Sequence, residues 1–207
     1  PPPDPSEHER SQVQQRLWQE DGVLEAIHAA DGALFALLKR LGVRPEMVVG
    51  HSFGDFFSLL LAASPDAPRD VMINAMAALE QSVHSTIRTY EQLRSEGKIP
   101  QNIVLVNVAA DSTTVSNLFE AIDGRLHISM DNCPHQVVVV GEKGAVAQLT
   151  ALLKEKGIFY EELPLNQPAY HTPMFEGARG LLEDHQWTPP THLVEVYSCT
   201  TASPYPR

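Results

Sequence analysis

The stretch Met47-Val48-Val49-Gly50-His51-Ser52-Phe53-Gly54-Asp55-Phe56-Phe57 decides the fold class. The short apolar run after Pro45 reads as a buried parallel strand. A glycine-bounded turn follows, and Phe56, Phe57, Leu59, Leu60 and Leu61 continue as an amphipathic helix. A strand that feeds a helix through Gly-x-Ser-x-Gly puts the serine on a sharp, exposed turn. There the residues two before and two after it come so close that a Cβ at either is expected to clash. The helix then points backbone N–H groups and its positive dipole end at a developing oxyanion. Ser52 is therefore the candidate nucleophile.

Outward from this stretch the chain is α/β. Residues 1–12, rich in proline and polar groups at their start, read as a disordered tail. From Val13 to Leu41 apolar residues recur at helical spacing, with Leu24, Ile27, Leu34, Leu38 and Leu41 on one side, breaks expected at Asp21-Gly22 or Asp31-Gly32, and a stop at Gly42. After a loop through Pro65 and Pro68, a helix is expected from Arg69 to Glu96. Residues 102–163 have their own rhythm. Strands at 103–108, 127–130, 136–140 and 159–163 alternate with helices at 111–122, capped by Ser112 or Thr113, and 144–156; Asp131-Asn132-Cys133-Pro134 is a turn between the middle strands. The order βαββαβ is that of a ferredoxin-like small subdomain. It would be inserted in a hydrolase-like large subdomain with a parallel sheet, residues 13–101 and 164–207. A helix from Pro173 to Leu182 and a strand from Leu193 to Tyr197 would complete the visible part of the latter, which reads as truncated at both ends.

With 207 residues, 43% hydrophobic and 20% charged, the composition is that of a soluble globular protein. A net charge of −11 argues against nucleic acid or an anionic membrane as partner. No apolar run is long enough to span a bilayer, and a cytoplasmic location is expected. Cys133 and Cys199 lie in no CxxC or Cys/His cluster, so no metal is expected.

Serine needs a base to take its proton. Among nine histidines, His8, His28 and His84 read as solvated or partly packed, His127 as a strand residue, and His185 and His192 as flanks of a Trp-Pro-Pro loop. His171, in the loop Tyr170-His171-Thr172-Pro173 before a helix, has a modest lead, with His135 second. His51, adjacent to the serine, is a pocket-wall residue.

Gly50-His51-Ser52-Phe53-Gly54-Asp55, Asn132-Cys133-Pro134-His135-Gln136 with Val137 to Gly141, and Tyr170-His171-Thr172-Pro173 resemble three motifs of the malonyl-CoA:acyl-carrier-protein transacylase family, in the same order. The wording around Met130 to Gln136 and Tyr197 to Ala202 resembles the acyltransferase domain of iterative, enediyne-type polyketide synthases. The resemblance implies a ping-pong acyltransferase, part of a larger multidomain synthase in polyketide (antibiotic) biosynthesis. Ser52 would carry the acyl group and His171 would be its base. Phe53 would donate an oxyanion N–H, and His51, Asn132, Tyr170 and Asn74 would line the substrate cleft. Acyl-CoA would be the donor and the phosphopantetheine thiol of an acyl carrier protein the acceptor; no cofactor is bound by the chain itself.

The family's malonyl-specific members clamp the substrate carboxylate with an arginine at a place corresponding to Ala77 here, and no Arg or Lys occurs between Arg69 and Arg88. Either an uncharged acyl group such as acetyl is used, or Asn74 or Gln81 holds malonate; the resemblance favours malonyl. Tyr170, a bulky aromatic in the family's side-chain-specificity position, implies an unbranched acyl group. The glutamine that completes the oxyanion hole and the carbonyl that orients the histidine have no counterpart in this sequence. A serine esterase or thioesterase and a non-catalytic carrier-protein docking fragment are the alternatives.

Overall fold

The computed structural model describes residues 4, 6–17, 20–63, 74, 81, 88–98, 101–163, 170–178 and 194–206. The loop through Pro65 and Pro68, most of the Arg69–Glu96 segment, and His84, His185 and His192 lie outside them. The chain divides into two units. A histidine unit comprises Pro1–Val23 and Thr86–Asp184, and a serine unit comprises Leu24–Ser85 and His185–Arg207. This division differs from the expected 102–163 for the smaller part. Residues 88–95 are helical, and Tyr90 from them stacks on Phe175, while Met174 joins an apolar cluster with Leu105, Val138 and Val140; the later flank thereby packs with residues 102–163, and the earlier flank with the later one.

The chain opens with α1, Glu7–Leu17, which replaces the second half of the expected disordered tail. Its start is a capping box. The Glu9 carboxylate accepts from the Ser6 N–H (2.8 Å) and hydroxyl (2.6 Å), and the Glu9 N–H donates to Ser6 Oγ (3.3 Å). The Ser-x-x-Glu spacing was present in the sequence and is the missed signal.

Helix α2, Glu20–Arg40, runs unbroken through Gly22 and Gly32, against the expected breaks. It ends as anticipated at Gly42, with φ +81°. The N–H groups of Val43 and Gly42 reach back to the carbonyls of Leu38 and Lys39, the pairing of a Schellman end. The apolar side read from its periodicity is not its buried side. Ile27, Leu34, Leu38 and Leu41 are 46–70% exposed, whereas His28 is only 6% exposed.

The serine unit holds the sheet β1 (Met47–Gly50), β6 (Glu195–Ser198) and β7 (Ser203–Pro204), in the order β1-β6-β7. β1 and β6 are parallel, Met47 opposite Glu195 and Gly50 opposite Ser198; β7 returns antiparallel on β6. Helix α3, Gly54–Ala63, buries Leu59 and Ala62 with Val196, and Val48, Val194 and Tyr205 pack around them.

The histidine unit is built on the four-stranded sheet β3-β4-β2-β5, antiparallel throughout. Its elements are β2 (Ile103–Val108), α4 (Ser112–Phe119), β3 (Leu126–Cys133), β4 (Gln136–Glu142), α5 (Lys143–Glu155) and β5 (Tyr160–Leu163). This is the expected βαββαβ order with the ferredoxin-like strand arrangement. Val137 and Val139 pack with Val115, Leu118, Val146, Leu149 and Leu153 of the two helices, while Val138 and Val140 pack on the opposite face with Leu105 and Met174. The sheet is covered on both faces, so β4 reads as an uninterrupted valine run instead of an alternating strand. Gly141 ends that run where a Cβ would overlap Leu126 and the Arg125 carbonyl. The cap of α4 is Asp111, not Ser112 or Thr113: its carboxylate accepts from the N–H (2.8 Å) and hydroxyl (2.6 Å) of Thr114. The hairpin turn is also tighter than expected. Cys133 pairs with Gln136, leaving Pro134-His135 as the turn and Asn132 on a bulged part of β3.

Candidate active site: a serine elbow and a histidine loop

Ser52 stands between β1 and α3 with φ +54°, a left-handed backbone that a non-glycine residue adopts at a cost. The turn is tied by its own backbone: the N–H groups of Gly54, Asp55 and Phe56 donate to the carbonyls of His51 (2.9 Å), Ser52 (3.1 Å) and Phe53 (3.2 Å). Phe53 N–H takes part in none of these three bonds. The two glycines are not equivalent. A Cβ at Gly50 would overlap the Gly54 carbonyl and the Asp55 nitrogen, whereas one at Gly54 meets nothing within 4 Å. The expectation that both would clash is corrected: the close approach is made by Gly50 alone.

The residue after the serine is held from α2. The His28 ring lies 4.7 Å from that of Phe53 and 6.0 Å from that of Phe57, and Phe53 meets Phe56 at 5.5 Å. His28 was read as solvated or partly packed; burial among aromatic rings corrects that. Its single polar position on an otherwise apolar stretch gave no cue, because the rings it meets are distant in sequence.

The β6–β7 hairpin braces both sides of the elbow. Cys199 Sγ lies 2.7 Å from the Gly50 carbonyl, and the Tyr205 hydroxyl is 3.3 Å from Asp55 Oδ2. Ser198 Oγ accepts from the N–H groups of Thr200 (3.2 Å) and Thr201 (3.3 Å), which shapes the connecting turn. Burial pushes the Tyr205 phenol above its ordinary pKa, and the nearby Asp55 charge adds to this. Asp55 Oδ1 is buried with no hydrogen-bond partner among the described residues. Neither Cys199 nor Tyr205 was singled out from sequence as a site residue.

His171 belongs to the other unit. It is exposed with φ +58°, at the head of the 3-10 helix Pro173–Ala178, which is all that the described residues hold of the expected Pro173–Leu182 helix. The loop is anchored just after His171. Thr172 and Met174 are buried, and the Phe175 N–H donates to the Thr172 carbonyl (3.0 Å). Tyr170 is half-buried beside Phe175. Of the other predicted cleft residues, Asn132 is exposed on β3 of the same unit. His51 and Asn74 are exposed in the serine unit, where Asn74 is helical, as is Gln81. Ser52, Phe53 and His51 therefore share one turn, while His171 and Tyr170 share another. His135, the second candidate base, is exposed in the hairpin turn. Burial, and secondarily Arg125, hold the His127 imidazole below its ordinary pKa.

Among the described residues no group of three or more His, Cys, Asp or Glu is placed to hold a metal ion, and no helix is long and apolar enough to cross a membrane.

No protein-family model matches the sequence. The chain is 27% identical over 176 residues to 6-methylsalicylic acid synthase of Penicillium patulum, a match that covers 83% of the chain but only 9% of that synthase. Among solved structures it is similar to the acyltransferase domain from the second module of the salinomycin polyketide synthase (26% identity, TM-score 0.68, 93% of this chain and 42% of that one). It shares its fold with the acyltransferase domain of an iterative polyketide synthase in enediyne biosynthesis (21% identity, TM-score 0.66, 86% and 44%). The malonyl CoA-acyl carrier protein transacylase of Coxiella burnetii shares it too (20% identity, TM-score 0.70, 94% and 59%). The chain thus spans less than half of each synthase domain and about three fifths of the transacylase. In sequence its relatives are polyketide synthases, and in fold they are acyltransferase domains of such synthases and malonyl CoA-acyl carrier protein transacylases.

Proposed function

We propose that the chain carries the acyl-accepting serine of an S-acyltransferase that moves a short acyl group, malonyl in preference to acetyl, from coenzyme A to a carrier-protein thiol. The observation that carries this reading is the left-handed Ser52 at a strand-to-helix junction whose closeness demands Gly50. His171 takes the proton of Ser52 Oγ as the oxygen attacks the thioester carbonyl, and Phe53 N–H donates to the resulting oxyanion. Collapse breaks the C–S bond. The leaving thiolate of coenzyme A receives the proton from the imidazolium, and an oxyester on Ser52 remains. The phosphopantetheine thiol of an acyl carrier protein then gives its proton to His171, attacks the ester, and departs as the new thioester while Ser52 is reprotonated.

Tyr170 gates the acyl side chain, its bulk leaving little room for an α-branch. With no Arg or Lys between Arg69 and Arg88, the malonate carboxylate is held by neutral polar groups, Asn74 or Gln81. Such a site discriminates malonyl from acetyl less sharply than a bidentate guanidinium does.

The test is intact mass after incubation of the full-length protein with malonyl-CoA or acetyl-CoA, with Ser52→Ala beside it. A malonyl adduct on the wild type alone is expected. An adduct that persists in Ser52→Ala refutes the nucleophile, and a clear acetyl preference refutes the malonyl reading.

A further inference from the structure

Tyr170 precedes His171 directly, and its ring meets that of Phe175 with centroids 4.9 Å apart and planes 56° apart. Behind Phe175 stands Tyr90, stacked at 5.3 Å and 26°. Tyr90 is 3% exposed, whereas Tyr170 and Phe175 are half-buried. Three rings therefore run in file from the interior of the histidine unit to the residue beside the base. The file is fixed at both ends of its middle member. Tyr90 belongs to the helical residues 88–95, and Phe175 follows Met174, which is locked into the cluster of Leu105, Val138 and Val140.

A tyrosine on a loop turns about two torsions, and without support its ring would swing away from an extra methyl group at little cost. Rings that meet edge-on or offset hold each other beyond the area they bury. We propose that Phe175 and Tyr90 are specificity-determining residues for the acyl group: they act through Tyr170, fixing its ring so that an α-branched acyl group is excluded. The proposal rests on the reading of Tyr170 as the side-chain gate. It adds that the selectivity belongs to the file of rings and not to Tyr170 alone. A pocket that senses one methyl group discriminates about 10- to 200-fold, and loss of one supporting ring contact gives up roughly three- to ten-fold of that.

The experiment measures acyl-enzyme formation from malonyl-CoA and methylmalonyl-CoA competing in one sample of the full-length protein. Because both adducts form on the same molecules, any loss of folded protein lowers them together and leaves their ratio intact. Phe175→Leu and Phe175→Met should each raise the methylmalonyl share roughly three- to ten-fold, Tyr170→Ser should raise it further, and Phe175→Tyr, which keeps a ring, should restore the wild-type ratio. If Tyr170→Ser shifts the ratio and neither ring-removing variant does, the supporting role is overturned and the gate stands. If no variant shifts it, the gate falls and the proposal with it.

Discussion

Ser52 and His171 share an uncommon backbone, with φ of +54° and +58°, yet the two regions sustain it by different means. Around Ser52 the backbone is tied first by its neighbours: three hydrogen bonds join residues 51–56, and Gly50 admits the carbonyl of Gly54, while His28 and the β6–β7 hairpin brace this turn from afar. Around His171 the restraint is chiefly remote. Met174 packs on the face of β2 and β4 that carries Leu105, Val138 and Val140, and Phe175 leans on Tyr90. Each left-handed residue costs on the order of 1–3 kcal/mol. One region has a motif of its own beneath the distant braces, whereas the other leans chiefly on anchors far apart in the chain. A strained residue held by neighbours in sequence leaves a signature that can be read, whereas one held by distant side chains leaves hardly any.

The comparison can be broken most directly at Gly50. Gly50→Ala should cost about 3 kcal/mol or more and abolish acylation, read by denaturant unfolding and intact mass, whereas Gly54→Ala should be mild. Equal damage from the two would contradict the one-sided approach. Next is Met174→Ala, which should destabilise the histidine unit by about 2–4 kcal/mol in an unfolding titration. A negligible change would mean that the His171 loop is held by something other than its buried anchor.

Smaller effects sharpen the contrast. Tyr205→Phe removes a long, 3.3 Å contact to Asp55 and should cost only about 0.5 kcal/mol, seen as a slight drop in unfolding midpoint with Ser52 still acylated. The smallest is a pH effect. The His127 imidazole is held below its ordinary pKa, so the unfolded chain takes up this proton first. Stability should fall as the pH drops from the ordinary imidazole value towards the depressed one, and His127→Gln should flatten that segment of a stability–pH curve.

Much of the fold was legible because its signals repeat at short range. The valine run of β4, the glycine after α2 and the Gly-x-Ser-x-Gly turn each announce a backbone geometry. Ser6 and Glu9 announce one too, and that capping box was overlooked. The candidate site was legible only in part. Ser52 as candidate nucleophile follows from the chemistry of its turn, whereas His171 as candidate base had only a modest lead over His135 and rests mainly on the resemblance. His28 beneath Phe53, and Cys199 and Tyr205 beside the elbow, were invisible because their partners lie far along the chain. The apolar periodicity of α2 was real, yet its stripe is exposed and His28 faces inward.

The sequence by itself determined the Gly-x-Ser-x-Gly turn, the strand that feeds its helix, and the serine offered as candidate nucleophile, since those depend on sterics between residues a few positions apart. Only the tertiary structure decided which face of α2 is buried, that one glycine of the elbow carries the close contact, and that Tyr170 is backed by Phe175 and Tyr90. Those outcomes depend on packing between segments that meet only when the chain has folded, and packing distances are not written in local order.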